Sequence, residues 1–155
     1  METRTLPRFA VIAAGEMGYT VVKRLITAGC TVYTNLDGRS EVTRQRAKEV
    51  GMLAVPLGDV VTKADWILSI LPPRDAVSFA EKIRDAAANR RVESLVFADC
   101  NAVSPQTVKR IAGIFVGTGI NFLDTGIIGG PPKDGYDRTF YASAAPRIGT
   151  CSMLL

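Results

Sequence analysis

The stretch Phe9-Ala10-Val11-Ile12-Ala13-Ala14-Gly15-Glu16-Met17-Gly18 decides how the rest of the chain is interpreted. Its first half, Phe9–Ala13, is a short apolar run typical of a buried strand. From there on, apolar residues recur at spacings of three to five and fall on one helical face: Met17, Val21, Val22, Leu25 and Ile26. Gly29 predicts the end of this helix. The stretch is therefore a strand, a glycine-containing turn and an amphipathic helix that packs on a sheet.

The alternation of short strands and longer helical segments continues along the chain. Further strands are predicted at Thr31–Asn35, Met52–Val55, Trp66–Leu71, Ser94–Asp99, Asn121–Asp124 and, at an edge, Arg138–Ser143. One helix is predicted from about Ser40 to Val50. A second is predicted after Asp75, which would cap it, and its apolar stripe is Val77, Ala80, Ile83 and Ala87. A third is predicted after Ser104-Pro105, and its apolar stripe is Val108, Ile111 and Phe115. One more turn is expected at Asp59–Thr62, mostly solvated like the Ser40–Val50 helix. This order predicts an α/β protein with helices on both faces of a mainly parallel sheet, in three layers.

The composition fits one globular domain. The 155 residues are 47% hydrophobic and 22% charged. We assign residues 1–145 to this domain and 146–155 to an irregular tail. The chain has no His, which excludes His-based triads and His-ligated zinc, and its 3 Cys are too few and too scattered for a disulfide framework. We therefore predict no metal site and expect any acid or base to be Lys, Asp, Glu, Tyr or Cys.

The charge pattern bears on possible partners and on location. The net charge is +4, but basic residues are scattered among acidic ones, so we expect no nucleic-acid partner. No apolar run approaches the roughly 20 residues of a membrane-spanning helix, and the N terminus lacks the apolar stretch of a secretory signal. A cytoplasmic protein without a membrane partner is the expectation.

The turn after the first strand gives the clearest indication of a ligand. A glycine-containing turn between a strand and an amphipathic helix is the context of the Rossmann dinucleotide fingerprint. Gly15 lets the backbone approach a pyrophosphate, Gly18 allows close packing of helix and strand, and the helix N terminus attracts the anion. The predicted contacts are Ala14, Gly15, Glu16, Met17 and Gly18. Ala13 replaces the usual first glycine, so a glycine-rich turn that binds nothing stays an alternative.

The tip of the second strand bears on the choice of cofactor, because an acidic residue there holds the ribose diol of NAD and a basic one accepts the 2′-phosphate of NADP. We place Asn35 at the tip, which leaves Arg39 and the Ser40 hydroxyl facing a 2′-phosphate and favours NADP. Asp37 is the rival: if the strand ran two residues longer, its carboxylate would reach the diol and NAD would be the cofactor. An ordinary exposed arginine is the alternative reading of Arg39.

Two further strand ends should lie at the same edge of the sheet, where ligands of open parallel sheets bind. The fourth strand exits through Leu71 and Pro72, which we assign to cofactor binding. Asn101, after the fifth strand, could bind a nicotinamide ribose or a substrate hydroxyl, or could simply form an Asx turn. Cys100 beside it is either a redox-sensitive thiol or, more commonly, a buried inert one.

The last parallel strand leads into Asp124-Thr125-Gly126-Ile127-Ile128-Gly129-Gly130. Two adjacent glycines beyond a sheet edge leave backbone N–H groups accessible to a carboxylate. Ile128, Gly129 and Gly130 are therefore predicted to contact a substrate acid. A merely tight loop is the alternative.

Taken together, these segments resemble the cofactor-binding domain of the β-hydroxyacid dehydrogenases, which include 3-hydroxyisobutyrate and 6-phosphogluconate dehydrogenases. The resemblance covers about residues 9–143. It rests on the order and spacing of five motifs: Gly15-Glu16-Met17-Gly18, the Asn35 tip with a following arginine, Ser69–Pro72, Asp99–Asn101, and Asp124 with Gly129-Gly130. The resemblance implies a Rossmann-type doubly wound fold and reversible oxidation of a 3-hydroxy acid with hydride transfer to NADP.

The departures from that family are equally informative. Its catalytic lysine lies on a helix after the glycine-glycine loop and is followed by a helical domain, and neither is present before Leu155. Lys109 and Lys133 do not match that lysine's motif, so the catalytic residues are unknown. Ile128 replaces the usual Ser or Thr. We expect a truncated NADP-binding domain that is inactive alone and self-associates through an exposed apolar face; an enzyme completed by a partner chain and a non-enzymatic nucleotide sensor are the alternatives.

Overall fold

A computed structural model describes residues 5–12, 15–128 and 139–143. Seven strands lie in these ranges: β1 Phe9–Val11, β2 Val32–Thr34, β3 Leu53–Ala54, β4 Trp66–Ser69, β5 Val96–Asp99, β6 Asn121–Ile128 and β7 Thr139–Ser143. The helices are α1 Glu16–Thr27, α2 Glu41–Val50, α3 Leu57–Lys63, α4 Ala76–Ala87 and α5 Pro105–Ile114, with a 3₁₀ turn at Pro73–Asp75. Every strand predicted from the sequence is found, most of them one or two residues shorter.

The strands form one sheet in the order β3-β2-β1-β4-β5-β6-β7. Strands β1 to β6 are parallel, and β7 is antiparallel to β6 at the edge. The chain moves from β1 outward to β3, then returns to place β4 on the other side of β1. The point between β1 and β4 is therefore the topological switch point of a doubly wound sheet. The predicted α/β Rossmann-type fold is confirmed.

The core lies in two layers, one on each face of the sheet. On one face, Val21, Val22 and Leu25 of α1 and Ala47 of α2 pack on β1, β2 and β4. On the other face, α3, α4 and α5 cover the sheet, and Phe97 of β5 contacts aromatic rings from α4 and the end of α5. The sheet is thus sandwiched between helices, which confirms the three-layer arrangement.

The end of α1 follows the sequence prediction. Gly29 has a φ of +89°, a left-handed conformation that side-chain-bearing residues rarely adopt. The Gly29 and Cys30 amides donate to the Ile26 and Leu25 carbonyls, both at 2.9 Å. This reversal directs the chain straight into β2.

Three local predictions were wrong in detail. The turn expected at Asp59–Thr62 is the two-turn helix α3, and it is not mostly solvated, because Val60 and Val61 are buried in the core. Asp75 stands at the N-cap position of α4, but its side chain makes no capping hydrogen bond since the preceding 3₁₀ turn holds it in a helical conformation. Strand β6 runs to Ile128, four residues beyond the predicted end, because β7 pairs with its second half.

The apolar stripes of the two later helices are confirmed in part. Ala80, Ile83, Ala87, Ile111 and Phe115 are buried as expected. Val77 and Val108 are only half-buried, whereas Phe79, which the stripe omitted, is buried. The predicted tail, 146–155, lies outside the described residues.

Candidate functional site

A cleft of about 520 Å³ opens at the carboxyl ends of β1, β2 and β4, on the α4 side of the switch point. Five residues that the sequence suggested for cofactor binding or cofactor choice line it: Asn35, Asp37, Arg39, Leu71 and Pro72. The carboxyl edge at a switch point is where doubly wound sheets bind their ligands. We call this the central cleft.

The first turn of α1 follows the glycine-containing turn that was predicted to bind a pyrophosphate. Gly15 is its N-cap residue, is exposed and offers no side chain, so no side-chain hydrogen bond caps the helix. A Cβ built on Gly15 would meet nothing within 4 Å. Gly18 is buried, in keeping with close packing of helix and sheet. Ala14 lies outside the described residues, whereas Glu16 and Met17 form the first turn.

Asn35 has a structural task at the tip of β2. Its amide nitrogen donates to the Asp37 carboxylate at 2.9 Å and to the Val55 carbonyl at 3.0 Å. Asn35 thus joins the loop after β2 to the loop after β3. Strand β2 ends at Thr34 and does not run the extra residues that would have favoured NAD, yet the Asp37 carboxylate still faces the central cleft.

Arg39 and Ser40 differ in how available their side chains are. The Arg39 side chain is exposed, lines the central cleft and pairs with no carboxylate among the described residues. The Ser40 hydroxyl caps α2, accepting from the Thr43 amide at 3.3 Å and contacting the Thr43 hydroxyl at 3.1 Å. Ser40 is not among the residues that line the cleft. Its predicted contact with a cofactor phosphate stays a prediction.

Asn101 connects the exits of β4 and β5. Its carbonyl accepts from the Leu71 amide at 2.7 Å, and its amide nitrogen donates to the Ser69 hydroxyl at 2.9 Å and to the Asp99 carboxylate. Both amide hydrogens are therefore used inside the protein, which leaves a carbonyl lone pair for a ligand. Asn101 holds Leu71 and thereby positions one wall of the central cleft. The predicted contact of Asn101 with the cofactor stays a prediction.

Asp99 is a fully buried carboxyl group at the end of β5. Burial raises its pKa to about 6, assisted by the neighbouring charge of Asp124 and opposed by the hydrogen bonds from Asn101. Burial also raises the pKa of Asp124, which is only partly buried. The two acids are register partners on adjacent strands.

Cys100 is the buried inert thiol rather than the redox-sensitive one. Burial raises its pKa to about 12, which leaves almost no thiolate at neutral pH. The Thr125 hydroxyl lies 3.0 Å from its sulfur and 2.9 Å from the Asp99 carbonyl. The thiol therefore packs between β5 and β6 and is not a nucleophile.

The predicted substrate loop is only partly covered. Ile128 is the last residue of β6, paired with Thr139 of β7, so its backbone belongs to the sheet. Gly129 and Gly130 lie outside the described residues. The contacts of these three residues with a substrate acid stay predictions.

Seven other residues that line the central cleft were not predicted from the sequence to belong to a binding site. They are Ile12, Gly38, Leu57, Asp75, Ser78, Phe79 and Lys82. Asp75, Ser78 and Lys82 recur at helical spacing, so they fall on one side of α4. That spacing is visible in the sequence, but the direction in which this side faces follows only from the position of β4 beside β1.

The comparisons with known proteins agree with this geometry. Residues 8–146 match the family model of the NAD binding domain of 6-phosphogluconate dehydrogenase. The chain belongs to this family. The resemblance to hydroxyacid dehydrogenases predicted from the motifs is thereby confirmed, and a nicotinamide dinucleotide is the ligand class of the domain. No curated protein matches the chain significantly.

Three solved structures illustrate the similarity of this NAD-binding domain to others. Conserved protein MTH1747, of unknown function and described as structurally similar to 3-hydroxyacid dehydrogenases, has a TM-score of 0.73 and 30% identity, covering 87% of this chain and 49% of that one. The 3-hydroxyisobutyrate dehydrogenase of Mycobacterium tuberculosis, with L-serine, has a TM-score of 0.66 and 20% identity, covering 81% and 42%. An imine reductase of Myxococcus stipitatus, in complex with NADP+, has a TM-score of 0.66 and 21% identity, covering 81% and 42%. The chain therefore spans about half the length of the structures it matches.

A second cleft, of about 810 Å³, lies at the opposite edge of the sheet, where β1 and β4 begin. Arg8 and Asp65 face each other there, with the guanidinium 2.9 Å from the carboxylate. Hydrogen bonds from Arg8 lower the pKa of Asp65. Because ligands of doubly wound sheets bind at the other edge, we assign a structural role to this ion pair.

In the described ranges no group of three or more Cys, Asp or Glu side chains could hold a metal ion. No helix in those ranges is long and apolar enough to cross a membrane. The absence of a metal site from the whole chain stays a prediction.

The buried Asp99 carboxyl makes a prediction about stability. Its pKa is about 6 in the fold against an ordinary value of 3.8, so the folded state binds more protons than the unfolded state between these pH values. The free energy of unfolding therefore falls as pH rises from about 4 to about 6, by up to about 3 kcal/mol from this group alone. Asp99→Asn should abolish this contribution.

The measurement is urea unfolding of both proteins at several pH values. The free energy of unfolding of Asp99→Asn, relative to the wild type, should rise by about 2–3 kcal/mol between pH 4 and pH 7. Asp85→Asn, which changes an exposed carboxyl group on α4, is the control and should show no such trend. A constant difference between Asp99→Asn and wild type would contradict the buried, proton-binding role.

Proposed function

We propose that the chain binds NADP(H), with the pyrophosphate at the N terminus of α1. The observation that supports this most strongly is the first turn of α1, which begins at exposed Gly15 with no side-chain cap and open space around the Cα. Helix N termini attract anions through free backbone N–H groups and the helix dipole. The central cleft next to the switch point is of a size to take the adenosine half.

The residues present fit such a cofactor. Asn35 holds the loop after β2. Arg39 is exposed, lines the central cleft and has no carboxylate partner in the described part of the chain, which supports a contact with a 2′-phosphate. Asn101 holds Leu71, which with Pro72 forms an apolar wall of the central cleft. When bound, the nicotinamide would accept or donate hydride, while these residues would bind and orient the dinucleotide as a whole.

NADP is proposed over NAD because of the guanidinium at Arg39. A guanidinium forms strong, paired hydrogen bonds with phosphate oxygens. NAD is the second candidate, since the Asp37 carboxylate also lines the central cleft, held by the Asn35 amide at 2.9 Å. An imine reductase solved with NADP+ has a V8 variant solved with NAD+, so the same fold accommodates both.

For catalysis, we propose that the physiological substrate is a small 3-hydroxy acid, in line with the hydroxyacid dehydrogenases among the similar structures. Oxidation of an alcohol needs a group that takes the hydroxyl proton. Among the described residues, Asp99 and Cys100 are buried, and their positions do not identify such a base. We propose that turnover depends on a group outside the described residues, such as one supplied by a partner chain or a second copy.

Self-association and location remain proposals. The large apolar side chains that are exposed in the described ranges are Leu6, Val42, Leu53 and Val116, which come from four separate segments. We propose a cytoplasmic protein that binds no nucleic acid and no membrane, on the basis of its scattered charges.

The test is a titration of the chain with NADPH and NADH, followed by nicotinamide fluorescence. Saturable binding of NADPH, tighter than that of NADH, is expected. Incubation with NADP+ and a series of 3-hydroxy acids, followed by nicotinamide absorbance, then asks whether the chain acts alone; we expect binding without turnover. Failure of both dinucleotides to bind would contradict the proposed function.

A further inference from the structure

Three polar side chains form a row across neighbouring strands at the carboxyl edge of the sheet. Ser69 of β4 is the register partner of Asp99 of β5, and Asp99 is the register partner of Asp124 of β6. Register partners on adjacent strands project from the same face and lie about one strand spacing apart, roughly 5 Å. Asp99 and Asp124, here called the carboxyl pair, are therefore side by side.

The hydrogen bonds of Asp99 are one-sided. Its Oδ1 accepts from the Asn101 amide nitrogens of both backbone and side chain. Its Oδ2 is buried and has no hydrogen-bond partner in the described part of the chain. A buried carboxylate oxygen without a donor is costly, whereas a proton on that oxygen could be donated to a neighbouring acceptor. The neighbours of Asp99 in the row are the Ser69 hydroxyl and the carboxylate of Asp124.

No cation in the described ranges neutralises the carboxyl pair. Asp124 is the charged group that acts on Asp99, whereas the neighbouring Ser69 and Asn101 are uncharged. The Cys100 thiol, on the other face, is neutral because its pKa is about 12. The charged groups of the covering helices and the 3₁₀ turn are exposed or half-exposed: Asp59, Lys63, Arg74, Asp75, Glu81, Lys82, Arg84, Asp85, Lys109 and Arg110. Complete ionisation therefore leaves two negative charges at this edge that no described residue compensates.

The position of the carboxyl pair relates it to one half of a dinucleotide. The two halves of a doubly wound sheet each take one nucleotide, and the central cleft with Arg39 belongs to the β1-β2-β3 half. Strands β5 and β6 belong to the other half, which takes the nicotinamide nucleoside. The oxidised nicotinamide ring is a cation, and the reduced ring is neutral.

We propose that the carboxyl pair sets the preference of the domain between oxidised and reduced dinucleotide, favouring the cationic oxidised form when both carboxyls are ionised. The inference rests on the proposed function, because it needs a dinucleotide bound across the switch point. When the pair holds one proton, its charge is −1 and the advantage of the oxidised form is smaller. The ratio of the NADPH dissociation constant to the NADP+ dissociation constant should thus increase with pH.

This ratio isolates the effect of the charge on the nicotinamide ring, because pH effects that act equally on both dinucleotides cancel in it. The 2′-phosphate, which itself titrates near pH 6, is common to both forms. A charge-coupling of ordinary size predicts that the ratio rises by about threefold or more between pH 5.5 and pH 8. The dissociation constants are measured by NADPH fluorescence and by competition with NADP+.

Two variants make the test specific. Asp99→Asn removes the buried carboxyl whose pKa is raised, so the ratio should become nearly independent of pH. Asp124→Asn leaves Asp99 buried but removes the charge that assists burial in raising its pKa, so the rise of the ratio should move to lower pH. Asp124 is only partly buried, which keeps the test available if Asp99→Asn does not fold. Asp85→Asn is the matched control and should retain the wild-type trend.

The outcomes are distinct. A ratio that rises with pH in the wild type, is flat in Asp99→Asn and rises at lower pH in Asp124→Asn supports the inference. A ratio independent of pH in the wild type, a trend that persists in Asp99→Asn, or an unchanged trend in Asp124→Asn overturns it while leaving NADP(H) binding intact. Absence of binding at every pH overturns the proposed function, and this inference with it.

Discussion

Gly15→Asp is expected to abolish dinucleotide binding while leaving the fold as stable as before or slightly more so. Gly15 is the N-cap of α1 with φ −66° and ψ 173°, an extended conformation open to any residue, and an added Cβ has free space. Asp is a better N-cap than Gly, by a few tenths of a kcal/mol. The carboxylate introduced by Gly15→Asp would occupy the proposed pyrophosphate site and repel the negative charge of the pyrophosphate. Because opposed like charges cost several kcal/mol, we expect affinity to fall by about 100-fold or more.

Thermal unfolding and NADPH titration of the same samples measure both effects. Gly113→Asp is the matched control, since Gly113 is an exposed glycine of α5 with equal space for a Cβ and is distant in sequence from the α1 turn. It should bind NADPH as the wild type does. If Gly15→Asp bound NADPH with unchanged affinity, the N terminus of α1 would not be the pyrophosphate site.

The second large effect is expected for Arg39→Ala. Loss of a hydrogen bond between a guanidinium and a phosphate should weaken NADPH binding by about 1.5–3 kcal/mol, or roughly 10- to 150-fold. NADH has no 2′-phosphate, so its affinity should hardly change. The measurement is the pair of dissociation constants for each protein.

A matched charge change separates a direct contact from a general electrostatic effect. Arg46 is an exposed arginine of α2 that does not line the central cleft, so Arg46→Ala should affect NADPH only slightly. Equal losses for NADPH and NADH in Arg39→Ala would argue against the phosphate contact. In that case Asp37, which faces the same cleft, would become the residue to change next.

The order of strands and helices could be predicted from the sequence because it depends on local patterns. The run Phe9–Ala13 and the helical stripe that follows it have different periods, and Gly29 marks the helix end by its left-handed conformation. Asp75 failed as a predicted cap because the 3₁₀ turn at Pro73–Asp75 changes its backbone conformation, which composition does not reveal. The burial of α3 similarly follows from its place against the sheet, not from its length.

Two positions at the carboxyl edge could be predicted from the sequence, whereas their contacts with a cofactor stay predictions. Gly15 and Arg39 follow from turn geometry and charge, and the structure places both at the carboxyl edge. Lys82 and Ser78 could not be identified without knowing which side of α4 faces the cleft. The partnership of Asp99 with Asp124 depends on strand register over 25 positions of sequence, which no local pattern encodes.

The most direct test of the account is a crystal structure of the chain soaked with excess NADPH. The account predicts difference density for the pyrophosphate against the first turn of α1 at Gly15, with the adenosine in the central cleft and the 2′-phosphate at Arg39. Density confined to the cleft at Arg8 and Asp65, or a turn at Gly15 that stays free of ligand at saturating NADPH, would contradict it.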